Sequence, residues 1–288
     1  MIKENFIKLY EDSFKENWAL PALSDYGENK SLSFGELAEK IARLHILFEE
    51  CQIRQGDRIA LIGKDCSNWC IVYMATITYG AVIVPILQDF NPNDVQHIIN
   101  HSESVLLFSS DKIWKSLNKE KMPGIRAALS LDSFNCIYCK EGEKVVEALS
   151  LLNDLFVKKY PKGFSEGDIR YVSKDNDEIV LMNYTSGTTG FSKGVMLTGN
   201  NLAGNVTYAK TLDLLFKGER ELCFLPLAHA YSCAFNLLVP MAFGTHVYLL
   251  GKLPSPKVLL KAFADVKPNL ILTVPLILEK IYKKMIAP

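Results

Sequence analysis

The densest run of chemistry-bearing residues is Tyr184-Thr185-Ser186-Gly187-Thr188-Thr189-Gly190-Phe191-Ser192-Lys193-Gly194. Its glycines let the main chain approach a ligand closely and turn N–H groups inward. Thr185, Ser186, Thr188 and Thr189 add hydroxyl donors, and Lys193 adds a positive charge. A loop of this kind between two strands forms an anion-binding concavity. A polar hairpin turn would account for the glycines, but not for glycines, hydroxyls and a lysine together. Two common nucleotide motifs do not fit. A Walker A loop needs Ser or Thr after Gly-Lys, whereas Gly194 follows Lys193, and no G-x-G-x-x-G run occurs.

Other groups are weaker candidates. His97 and His101 have the i, i+4 helical spacing of a metal pair, but no third ligand suggests itself and a solvated helix face explains them as well. Cys136-Ile-Tyr-Cys139 has zinc or redox spacing without a second Cys/His pair, so buried thiols are the plainer reading. His45 on an amphipathic stretch and His246 beside a strand read as structural. Trp69, Tyr73 and Tyr79 read as core aromatics.

Composition narrows the classes. Lys plus Arg and Asp plus Glu each number 32 in 288 residues, so the chain has no basic excess with which to neutralise nucleic-acid phosphates. The seven scattered cysteines suit a reduced, cytoplasmic protein, and residues 1–15 lack the pattern of a signal peptide. Trp69 to Leu87 and Ala234 to Gly251 carry no Asp, Glu, Lys or Arg. Each is broken by a glycine, Gly80 or Gly244, followed by β-branched residues. Helix, glycine stop and buried strand is therefore expected rather than a membrane span. Contact with a membrane surface stays compatible with this composition.

The elements that must position the loop alternate. Ser33 and Glu36 form a capping box ahead of a helical apolar face at Leu37, Ile41, Leu44 and Phe48. Strands are expected at 58–62, 81–85, 105–108, near 127–131, 178–184, 195–198, 222–225, 246–250 and 270–274. Helices are expected from Ser67 or Asn68 to Tyr79, from Asn91-Pro92, over 145–157, from Ser255-Pro256 and from Pro275. Alternation of this kind predicts an α/β fold with largely parallel sheets.

The motif Y-T-S-G-T-T-G-x-x-K-G-V, matched from Tyr184 through Val195, resembles the signature of the adenylate-forming family. That family holds acyl-CoA synthetases, luciferases and peptide-synthetase adenylation domains. Gly56-Asp57-Arg58-Ile59-Ala60, Gly80 to Pro85 and Phe224-Leu225-Pro226-Leu227-Ala228-His229 resemble further segments in the expected order. Val274-Pro275 with Glu279-Lys280-Ile281-Tyr282 is similar to the long-chain fatty acid branch. Gly199 stands where members commonly have His, and Leu276 where long-chain enzymes often have Arg.

The resemblance implies the large N-terminal domain of such an enzyme, two stacked and mostly parallel α/β sub-lobes, approximately 56–210 and 1–55 with 211–288. The glycine loop would lie at their junction. It implies that a fatty carboxylate attacks the α-phosphate of ATP, and that coenzyme A then takes the acyl group. Thr185, Ser186, Gly187, Thr188, Thr189, Gly190 and Lys193 would hold the β- and γ-phosphates. Magnesium would bridge phosphate oxygens, with Thr188 nearby. His229 would sit beside the acyl carboxylate, against the alternative of a helix-start histidine satisfied by backbone. The family's Tyr-Gly-x-Thr-Glu and Thr-Gly-Asp segments and its mobile C-terminal domain do not occur in the sequence. A first half of an enzyme, inactive by itself, is the expectation. An acyl carrier protein as acceptor, or a non-catalytic protein that binds nucleotide or acyl ligand, remain alternatives. Oligomeric state is left open, because an unpaired sheet edge would favour non-native dimers.

Overall fold

The computed structural model describes residues 4–28, 30–185, 193–252 and 254–285. In chain order the elements begin with α1 (Phe6–Glu16), β1 (Pro21–Asp25), β2 (Ser31–Ser33), α2 (Phe34–Glu50), β3 (Arg58–Ile62), α3 (Ser67–Tyr79), β4 (Val82–Ile86), α4 (Pro92–His101) and β5 (Ser104–Ser109). There follow α5 (Asp111–Trp114), β6 (Ala127–Ser130), β7 (Cys136–Cys139), α6 (Val145–Lys159), β8 (Ile179–Thr185), β9 (Lys193–Thr198) and α7 (Gly199–Lys210). The rest holds β10 (Arg220–Cys223), α8 (Ala230–Cys233), a π-helical turn (Ala234–Leu238), α9 (Val239–Phe243), β11 (His246–Leu249), α10 (Pro256–Val266) and α11 (Pro275–Met285).

These strands make two sheets, ordered β10-β11-β1-β2 and β7-β6-β5-β3-β4-β8-β9. Pairing is parallel except at β2, β7 and β9 on the edges. The expected α/β class with mostly parallel sheets is what the chain adopts. Helix α3 is apolar on every side, and a helix with no polar face must be enclosed. It lies between the sheets, touching β1 of one and β3 and β4 of the other. Trp69 and Tyr73, both fully buried, stack along it with ring centroids 5.4 Å apart. It ends at Gly80, whose left-handed backbone (φ 91°) lets the chain reverse into β4. Helix α4 covers the outer face of the larger sheet, and α10 that of the smaller.

Three local expectations need correction. Neither Ser67 nor Asn68 caps α3: its cap position is Cys66, and the carboxylate of Asp25 on β1 accepts the Ser67 N–H instead. The 270–274 segment is not a strand and meets β10 through the single pair Glu221 and Leu270. Among the described residues no strand flanks its outer side, so the ladder stops there. Cys136–Cys139 forms a further strand, β7, antiparallel to β6. Helix, glycine and strand do replace both candidate spans, and among the described residues no helix is long and apolar enough to cross a membrane.

The chain just after β11 passes close to the turn that follows β3. A Cβ on Gly251 would lie 2.7 Å from Lys64 Cε and 2.9 Å from the Asp65 carbonyl oxygen, and the residue has φ +60°. Lysine can swing away, but the carbonyl belongs to the turn after β3. We therefore expect Gly251→Ala to destabilise the chain by about 1–3 kcal/mol, since over-packing costs that much. Urea denaturation monitored by Trp fluorescence measures it, and an unchanged midpoint would contradict the close approach.

Candidate functional site

The glycine-rich loop joins β8 and β9, which pair antiparallel with Thr185 opposite Lys193, Tyr184 opposite Gly194 and Asn183 opposite Val195. Strand β8 runs parallel to β4, so the loop leaves the carboxyl edge of a parallel sheet. Ligands of open α/β sheets bind at that edge. Thr185 and Lys193 are exposed on the last paired rung. Ser186, Gly187, Thr188, Thr189 and Gly190 lie outside the described residues.

The stem below the loop is fixed from two sides. The Tyr184 hydroxyl meets His101 Nδ1 at 2.7 Å, where α4 ends. Its ring lies against Gly194, where a Cβ would stand 3.0 Å from Tyr184 Cζ. Gly194 is thus a glycine because an aromatic ring occupies its side-chain space. From the other side, Asn183 Nδ2 donates to the Ala228 carbonyl at 3.3 Å. The reading of His101 as a merely solvated residue is corrected: it is exposed, yet it ends in a contact with the loop stem.

Ala228 belongs to the irregular segment that follows β10, Phe224 to His229. Having no regular partner, this segment borrows side chains. The Leu227 N–H reaches the Asp65 carboxylate, 3.2 Å and 3.3 Å from its two oxygens. Asp65 follows β3, so the bond crosses between the sheets. Burial pushes its carboxyl up to about 7, outweighing the Leu227 N–H, which favours the charged form. His229 sits at the cap position of α8, its backbone N–H bonded to Pro226 O and its carbonyl taking the Cys233 N–H. Its imidazole is exposed and makes no hydrogen bond to a described residue.

Just past His229 an apolar cavity of about 200 Å³ opens between α7, the helical run from α8 and the 270–272 segment. Tyr208, Leu212, Tyr231, Phe235, Val239 and Leu272 are among its lining residues. Nothing in the local sequence announced it, because its walls come from three separated stretches. Asp65 and Asn183 escape a sequence reading for the same reason.

Gly199, the departure at the start of α7, has a packing cause. A Cβ there would stand 3.0 Å from Asn176 Cα and 3.1 Å from its carbonyl oxygen. The remaining candidates settle as scaffold. Half-buried His45 contacts the Ala75 carbonyl and Thr78 Oγ1, and loss of solvent around the ring pushes it down to about 4. His246 meets Ser24 Oγ at 2.8 Å and is likewise pushed down by burial to about 4. Cys136 and Cys139 are half-buried free thiols. Among the described residues no group of three His, Cys, Asp or Glu could hold a metal ion.

A family model described as AMP-binding enzyme matches residues 11–287. The chain belongs to the AMP-binding enzyme family. Two curated relatives carry long-chain names. Long-chain-fatty-acid–CoA ligase FadD15 of Mycobacterium tuberculosis is 30% identical over 80% of this chain. Long chain acyl-CoA synthetase 6, peroxisomal, of Arabidopsis thaliana is 28% identical over 90% of it. The match spans only 36% of each relative's length. Among solved structures, the inhibitor-bound N-terminal domain of FACL13 from Mycobacterium tuberculosis superposes with TM-score 0.78 at 18% identity, covering 97% of this chain and 65% of that one. ATP-bound MatB from Rhodopseudomonas palustris gives 0.77 at 20% identity, covering 97% and 51%. These two likenesses establish the fold.

The Asp65 carboxyl gives a test of the seam. Its folded value, about 7, lies above the ordinary 3.8, so the folded protein holds this proton more tightly than the unfolded chain. Its contribution is then fully present below the ordinary value and is lost as pH rises to about 7. Asp65→Asn keeps an oxygen for the Leu227 N–H but cannot ionise. Denaturation midpoints at pH 5, 6 and 7 should fall for the unsubstituted chain relative to Asp65→Asn, and parallel curves would refute the assignment.

Proposed function

We propose that this chain supplies the triphosphate loop and the acyl pocket of an ATP-dependent fatty-acid–CoA ligase. The observation that carries the reading is the bond from Asn183 to the Ala228 carbonyl. It ties the stem of the glycine loop, two residues before Thr185, to the residue before His229. The apolar cavity opens two residues after His229, at Tyr231. An anion-binding loop and an apolar pocket, with an imidazole two residues along the chain from one of its walls, suit a reaction between a fatty carboxylate and a triphosphate. Membership of the AMP-binding family and the names of the curated relatives support it.

In this reading the fatty chain enters the cavity and its carboxylate emerges beside His229. A hydrogen bond from the imidazole there orients the carboxylate toward the α-phosphate. Attack expels pyrophosphate and leaves an acyl-adenylate. Lys193 and the donors of Thr185, Ser186, Gly187, Thr188, Thr189 and Gly190 stabilise the charge that gathers on the leaving phosphates. A thiol, coenzyme A, then displaces AMP. Magnesium neutralises phosphate oxygens in such chemistry. The described residues offer it no cluster of acidic donors, so we assign it no protein ligand among them. The reading also places the loop at the junction of two sub-lobes, 56–210 and 1–55 with 211–288.

A protein carrying this chain together with the segments that its curated relatives add should exchange labelled pyrophosphate into ATP only when a fatty acid is present. Lys193→Ala should lower that exchange by about 10²–10³-fold, the usual cost of one preorganised charge-stabilising donor. Failure to exchange with every carboxylic acid tried would sink the ligase reading. Full exchange in Lys193→Ala would remove the lysine alone.

A further inference from the structure

Behind the cavity wall lies a polar chain that the ligase reading does not use. Glu221 on β10 is fully buried, as are Asn236 and Ser232. Asn236 Nδ2 donates to Glu221 Oε1. Ser232 Oγ lies 3.0 Å from Asn236 Oδ1 and 2.9 Å from the Leu225 carbonyl. Glu221 Oε2 has no hydrogen-bond partner among the described residues. A carboxyl in such surroundings is costly unless it stays neutral, and burial pushes this one up to about 8 against the Asn236 hydrogen bond.

Ser232 and Asn236 sit on the helical run that forms the wall. Within it Ala234–Leu238 is π-helical, with the Val239 N–H bonded to Ala234 O five residues back. Pro240 gives the local reason: it has no N–H, and its ring would clash with the Asn236 carbonyl in a regular α-helix. The widened turn has a geometric result. In an α-helix each step of four residues advances a side chain by about 40° around the axis. A wider turn removes part of that drift, so Tyr231, Phe235 and Val239 stay on one wall of the cavity. Ser232 and Asn236, each one residue later, turn to β10. Leu270, which bridges Glu221 from the far side, also lines the cavity.

We propose that Glu221 and Asn236 are positioning residues that hold the π-turn against β10 and thereby set which acyl chain lengths the cavity takes. The inference rests on the acyl reading of the cavity. Glu221 anchors the turn through Asn236, and Ser232 passes the constraint to the Leu225 carbonyl, four residues before His229. The wall and the segment that ends at His229 therefore move as one piece. Loosening the anchor frees Phe235 and Val239 to retreat, which admits longer chains and blurs discrimination among them.

The test is calorimetric titration of the 288-residue chain with sodium alkanoates of about 6 to 18 carbons. Thermal midpoints are followed by circular dichroism. The unsubstituted chain should bind with a preferred length. Glu221→Gln keeps the acceptor oxygen and should keep that preference. Glu221→Leu, and the double substitution Glu221→Leu with Asn236→Leu, should change the ratio of Kd between the preferred length and the longest alkanoate at least fivefold. The double variant leaves neither partner unsatisfied, so it serves where the single one does not fold. A folded double variant with the original length profile would overturn the inference while leaving the acyl reading intact. So would a Glu221→Gln profile as altered as that of the double variant. No alkanoate binding by the unsubstituted chain would overturn the acyl reading, and this inference with it.

Discussion

The segment from Phe224 to His229 belongs to neither helix nor strand, yet most of it is buried. Main-chain groups in that position must find partners, and these come from the other sheet: Asp65 for the Leu227 N–H and Asn183 for the Ala228 carbonyl. Much else follows from that requirement. Asp65 must stand in the turn after β3, so the turn must lie close to β11, which leaves no room for a side chain at Gly251. Asn183 must point across the seam from β8, which fixes the stem of the glycine loop relative to the segment that carries His229. A constraint on two peptide groups thus sets the relation between the stem of the glycine-rich loop and an apolar cavity.

Much of the scaffold was legible in the sequence. Strand β3 falls on the residues that its apolar run marked, the capping box at Ser33 and Glu36 is present, and Asn91 caps α4 ahead of Pro92. These signals are local, decided by residues a few positions apart. What escaped was either weak in pattern or long in range. Helix α7 begins Gly-Asn-Asn, poor helix formers, and is held by the Thr198 cap and by Asn176. Helix α1 hid its apolar stripe among interspersed charges. The trans cap of α3 by Asp25 joins residues far apart in sequence, and no reading of Ser67 or Asn68 alone could find it.

The site divides in the same way. The motif from Tyr184 to Val195 marked the loop and, through the family it resembles, the segment ending at His229. It did not reveal why particular glycines stand there. Gly194 yields its space to the Tyr184 ring, and Gly199 to the backbone of Asn176, reasons of packing rather than phosphate contact. The hydroxyl of Tyr184 reaching His101 shows the same limit, since α4 and β8 are distant in sequence. The cavity was invisible for a plainer reason: Tyr208, Phe235 and Leu272 meet only after the chain has folded three stretches together.

The pairing of β1 with β11 carries a consequence for how such a chain is made. Leu23 stands opposite Val247, so the centre of the smaller sheet joins residues from near opposite ends of the described chain. During synthesis at about 5–20 residues per second, β1 waits on the order of ten seconds or more before its partner leaves the ribosome. Through that interval Ala22 and Leu23, both wholly buried in the finished protein, have only β2 as a paired strand. The larger sheet suffers no such delay, as β3, β4 and β5 arrive in close succession. A nascent chain would therefore carry one sheet well advanced and the other unfinished, with α3 left apolar on the side that the smaller sheet later covers. Chaperone demand during translation is written into that strand order.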